Sequence, residues 1–129
     1  MIRQIFDVKS YWRVIVFYNV DYDFFDGIWK FLKEAGASEH TIGLIYRTMS
    51  AGKAKAVTYN SIEKHMSIVL FNRHRNQTDY INSIVHEAEH IKQAMLEAYK
   101  VEDVGEPPAY TIGYLVGRMW KVYHKLQKQ

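Results

Sequence analysis

The chain has 129 residues, 48% hydrophobic and 24% charged, with a formal net charge of +3. That length supports one domain with a sizeable core, and the composition is that of a globular protein rather than a disordered or fibrous one. The absence of cysteine excludes disulfides and thiolate metal ligands, and no apolar run reaches the roughly 18 residues of a membrane span.

In chain order, residues 1–7 lack the charged-then-apolar layout of a signal peptide, with Asp7 interrupting early. Residues 11–20 read as a strand, rich in β-branched and aromatic side chains (Val14, Ile15, Val16, Phe17, Tyr18). Asp21 or Asp23 is placed to cap a helix carrying Phe24, Phe25, Ile28, Trp29, Phe31 and Leu32 and ending at Gly36. Ser38 caps a second helix through Thr48, with Ile42, Ile45 and Met49 on its apolar side. A turn at 51–53 leads to two strands near 54–60 and 66–72, joined as a hairpin around 61–64. Residues 73–77 form a polar loop.

The long helix that follows has Thr78 as its expected N-cap and Asp79 in its first turn. Tyr80, Ile84, Ile91, Met95 and Ala98 give it an apolar stripe at helical spacing, and it ends near Lys100. A final helix starts around Glu106, where Pro107 and Pro108 suit a first turn that needs no N–H, and runs to about Leu126. Glu106, Tyr110, Gly113 and Gly117 fall along one stripe of it, so the two glycines are expected to let the preceding helix approach closely.

His86-Glu87-Ala88-Glu89-His90 carries the chemistry. Two histidines four apart share a helix face about 6 Å apart along the axis, a spacing that lets both imidazoles reach one tetrahedral zinc ion. Glu87 flanks them as a general base for a metal-activated water. A catalytic zinc takes three protein ligands and keeps one position open. The metzincin pattern is excluded because Gln93 and Leu96 stand where its Gly and His would be. Glu102, Asp103 and Glu106 remain for the third ligand. Glu106 is favoured for its place at the start of the last helix, with Asp103 next.

His86-Glu87-x-x-His90 followed by Glu106-Pro-Pro-Ala-Tyr110 resembles the gluzincin-type arrangement H-E-x-x-H…E. The closest likeness is to small zincins of phages and mobile elements, including those that cleave immunity repressors. The resemblance covers roughly the last fifty residues, and implies His86, His90 and Glu106 as Zn2+ ligands and Glu87 as catalytic base. Tyr110 stands where a thermolysin-type protein has an aspartate. The order of elements then suits a minimal zincin-like α+β domain, with a small three-stranded sheet, about four helices and the motif on the third main helix. Residues 66–71 are the expected strand for binding substrate backbone.

The expected activity is zinc-dependent peptide-bond hydrolysis. Tyr110, or less favourably Tyr114, would donate to the tetrahedral oxyanion. The expected partner is a protein or peptide substrate in the cytoplasm, with no membrane and no nucleic acid, since no nucleic-acid motif accompanies Arg73, Arg75 and the C-terminal Lys121, Lys125 and Lys128. Two other classes stand beside it: a catalytically inactive metal-holding binding module, and a basic adaptor or nucleic-acid-binding protein with a chance motif. His40, His65 and His124 are read as solvated or hydrogen-bonded, His74 as part of a solvated loop, and Trp12, Trp29 and Trp120 as filling the core or its rim.

Overall fold

The computed structural model describes residues 1–126, so Lys128 lies outside the described residues. Strands β1 (Ile2–Val8) and β2 (Trp12–Tyr18) are followed by a 3-10 turn (Tyr22–Phe24) and helices α1 (Phe25–Glu34) and α2 (Glu39–Ser50). Strands β3 (Ala56–Ser61) and β4 (Met66–Phe71) lead into helices α3 (Gln77–Tyr99) and α4 (Glu106–Leu126). The fold is α+β with four helices, as expected, but the sheet has four strands rather than three.

The additional strand is β1. Its alternation is clear once it is paired: Phe6 and Val8 are buried and Ile2 partly so, while Arg3, Ile5 and Asp7 face outward. The hairpin to β2 turns at Lys9 and Ser10, both with positive φ (53° and 68°). A turn of this kind is normally marked by Asn or Gly, so the sequence carries no sign of it.

The sheet order is β1-β2-β4-β3, with β2 parallel to β4 and the outer pairs antiparallel. Ile15, Phe17, Ile68 and Leu70 pack against α1 and α2, while Val14, Val16, Tyr18, Val69 and Phe71 pack against α3 and α4. The sheet is therefore covered on both faces, which is why β2 reads as a continuous apolar run rather than an alternating one. Because β4 is hydrogen-bonded on both sides, it has no free edge to receive a substrate strand, contrary to the expectation for residues 66–71. Its antiparallel neighbour β3 is the sheet-edge strand beside α3.

Ser38 caps α2 as expected, its hydroxyl accepting from the Thr41 N–H. The α3 cap is Asn76 rather than Thr78: its side chain accepts from the Asp79 N–H at 2.9 Å. Helix α3 ends where expected, at Lys100 in the left-handed conformation. No helix among the described residues is long and apolar enough to cross a membrane.

Helix α4 is rotated from the expected orientation. It enters the core through Leu115, Met119 and Tyr123, supported by Ile112, Val116 and Val122. Gly113 and Gly117 are exposed, and a Cβ added at either would meet nothing within 4 Å. The stripe of Glu106, Tyr110, Gly113 and Gly117 is thus not the packing face. Large apolar side chains, not small ones, set the approach of α4 to α3. The double variant Gly113→Ala/Gly117→Ala should be more stable than wild type by about 1–2 kcal/mol in chemical denaturation, from helix propensity alone. Destabilisation would mean that the two glycines do mediate close packing.

Candidate functional site

Helix α3 runs in the same direction as β3 and is fixed at three levels to the strand and the residue just before it. Lys55 pairs with Asp79 at 3.3 Å, the Thr58 hydroxyl donates to a Glu87 carboxylate oxygen at 2.9 Å, and Asn60 Nδ2 donates to the His90 carbonyl at 3.2 Å. Five strand residues span about 16 Å at strand rise, and eleven helical residues span the same length at 1.5 Å each. The two elements therefore stay in step from Asp79 to His90. Asn60 is itself held from beneath: Trp12 Nε1 donates to Ser67 Oγ at 3.0 Å, and Ser67 Oγ donates to Asn60 Oδ1 at 2.5 Å. This chain crosses three strands and ends on the backbone of a motif histidine.

His86 and His90 are exposed on the outer flank of α3, with their Nε2 atoms 3.1 Å apart. Two nitrogens about 2.0–2.1 Å from one tetrahedral ion stand about 3.3–3.4 Å from each other. The separation is close to that of a clamp, and in this arrangement one Nε2 donates to the other, with the rings crossed at 77°. Glu87 lies on the buried side of the helix at 4% exposure. A carboxylate so buried is costly without polar partners, and the Thr58 hydroxyl supplies one. Glu87 lines a cleft of about 370 Å³ with Lys55, Ala56, Asn82, Ser83 and His86 among its walls. A plain amphipathic helix would place an apolar residue at 87. Departures of this kind from the binary pattern are those found at functional or strained positions.

The third ligand is not assembled. Among the described residues no three or more His, Asp or Glu side chains are grouped as metal ligands. Glu106 and Tyr110 line a different cavity, with Val8, Pro107, Thr111 and Tyr114, which follows from the rotation of α4. Tyr110 is 71% exposed, and Tyr114 donates its hydroxyl to the Asp7 carbonyl. Asp103 is engaged by Lys92 at 3.0 Å and by Gln93 at 2.7 Å. The same Lys92 and Gln93 hold the carboxyls of Asp103 and Glu89 below their ordinary ranges. Glu102 is exposed in the loop before α4.

Of the remaining histidines, His65 is hydrogen-bonded as expected, whereas His74 is tied down rather than solvated. His65 stacks on Trp12 and meets the Tyr99 hydroxyl through Nδ1 at 3.0 Å, and His74 bridges Asn72 and Ser83. Trp12 is fully buried and Trp29 and Trp120 are half-buried, as expected. Sequence reasoning missed Thr58, Asn60 and Ser83. The one signal for the first two was a polar residue at alternate positions of β3, on the side that faces α3.

No family model matches the chain, and no curated protein or solved structure matches it. With no relative to carry it and no three-ligand group among the described residues, the resemblance to small zincins of phages and mobile elements is withdrawn.

The Thr58–Glu87 hydrogen bond can be tested directly. Thr58→Val leaves a buried carboxylate without its hydroxyl donor and should cost about 1.5–3 kcal/mol of stability. Thr58→Val/Glu87→Leu should recover most of that loss in a double-mutant cycle. Additive losses would show that the two side chains are not coupled.

Proposed function

We propose that the protein is a metal-dependent hydrolase of peptide bonds in which His86 and His90 hold the ion and Glu87 handles the proton. The observation that carries this reading is the juxtaposition of two Nε2 atoms 3.1 Å apart with a buried carboxylate in the adjoining cleft. Zinc suits two imidazoles and, when bound, supplies a Lewis acid that makes water nucleophilic near neutral pH.

The chain's own residues do the rest. Asn60 holds the His90 backbone, so the second imidazole is presented from a fixed turn. Thr58 orients the Glu87 carboxylate, which takes a proton from the attacking water and returns it to the leaving amine. Lys55, across the cleft, places a positive charge beside the site. An extended peptide would be received along the outer edge of β3, where main-chain groups are available for strand addition.

A second reading has its own observation. Two grouped ligands rather than three also suit a module that holds a metal for binding, with the partner completing the coordination.

The test compares wild type and Glu87→Gln, both loaded with zinc, on a fluorescence-quenched peptide library of mixed sequence. The hydrolase reading predicts cleavage by wild type, abolished by chelator and lowered on the order of 10²–10⁴-fold in Glu87→Gln, with zinc content unchanged. Wild-type rates in Glu87→Gln would remove Glu87 as base. Intact zinc with no cleavage by either protein would establish the binding module instead.

A further inference from the structure

The cleft beside His86 is also lined by Ser83, whose hydroxyl meets the imidazole of His74 from a neighbouring cavity. Ser83 lies one turn before His86 on α3, is buried at 9% exposure, and contributes to the cleft wall with Lys55, Asn82 and Glu87. Its Oγ is 2.7 Å from His74 Nε2, and His74 Nδ1 is 2.7 Å from the Asn72 carbonyl oxygen. A carbonyl oxygen only accepts, so Nδ1 carries the proton. In the neutral ring Nε2 is then a lone pair, and the Ser83 hydroxyl donates to it.

The ring is held for this role. Tyr80 packs on it at 4.3 Å between centroids and Phe71 stands at 6.4 Å. Burial pulls His74 below its ordinary value of 6.5; the Asn72 carbonyl opposes that, Lys55 adds to it and Asp79 opposes it. The ring is thus neutral at pH 7, as a base must be. A serine inside a helix commonly returns its hydroxyl to the carbonyl one turn back; here the hydroxyl is directed to an imidazole instead. Nucleophile, base and an orienting acceptor on the base's far nitrogen are the three parts of a serine acyl-transfer centre.

We propose that Ser83, activated by His74, is a metal-independent nucleophile that accepts the acyl group of a carboxylic ester entering this cleft. In that step Ser83 Oγ bonds to the carbonyl carbon while its proton passes to His74 Nε2. The carbon–oxygen bond to the alcohol then breaks and the departing alkoxide takes the proton from His74, leaving an ester on Ser83. Water, deprotonated by the same nitrogen, hydrolyses that ester and regenerates the pair with release of a carboxylic acid. Asn82, and Lys55 with its partner Asp79, also line the cleft and place an amide donor and a cation near the developing oxyanion. The inference goes beyond the metal-dependent reading and does not rest on it.

The experiment uses a fluorophosphonate probe on the full chain in the presence of chelator, followed by intact mass and peptide mapping. The expected result is one adduct per chain on Ser83, none in Ser83→Ala, and labelling slowed at least about 100-fold in His74→Gly. Added imidazole should restore labelling of His74→Gly, which a misfolded variant would not show. The wild-type rate should be flat at neutral pH and fall as pH drops below 6.5, because protonated His74 cannot take the hydroxyl proton. No adduct on Ser83 in folded wild type, wild-type labelling in His74→Gly, or a rate independent of pH would overturn the proposal.

Discussion

The registration of α3 on β3 is the constraint from which the site follows. A strand rises about twice as far per residue as a helix, so one periodic contact between them can be kept only at selected residues. Here those residues are Lys55 with Asp79, Thr58 with Glu87 and Asn60 with His90. Each contact is polar and lies on the flank of the interface. The apolar stripe of Tyr80, Ile84, Ala88 and Ile91 supplies the burial beneath them. Packing holds the helix on the sheet; the polar contacts hold its rotation, and rotation decides which way His86 and His90 point.

That division explains the burial of Glu87. An apolar residue at 87 would pack as well and avoid the desolvation of a carboxylate. The chain instead keeps an acid there and provides Thr58 from the neighbouring strand. Such an arrangement gives up stability and gains a carboxylate whose direction is fixed in the cleft that His86 also lines. The neighbouring His74–Ser83 pair has the same logic: its imidazole is tied on one nitrogen so that the other faces a chosen hydroxyl.

Much of this was legible in the amino-acid sequence, and the failures have physical causes. The limits of α4 were readable from Pro107 and Pro108 and the periodicity that follows, and the end of α3 from the loss of its apolar stripe. Strand β1 was obscured because its turn uses Lys9 and Ser10 in place of Asn or Gly. The α3 cap was set two residues late because both Asn76 and Thr78 are capping types, and only geometry selects Asn76. The placement of Glu106 failed for a deeper reason. Two glycines at 113 and 117 look like a close helix contact, yet Leu115, Met119 and Tyr123 decide which face of α4 is buried. The histidine pair was legible because an i, i+4 spacing is local. Thr58, Asn60 and Ser83 were not, because their roles depend on tertiary registration that no local pattern encodes.

The central claim is that the two motif histidines are a metal clamp and not merely neighbouring imidazoles. The most direct test is zinc content per chain in untagged protein, wild type against His86→Ala/His90→Ala, after chelation and reloading. The account predicts about one zinc in wild type and none in the double variant. No zinc retained by folded wild type, or the same content in both proteins, would contradict it.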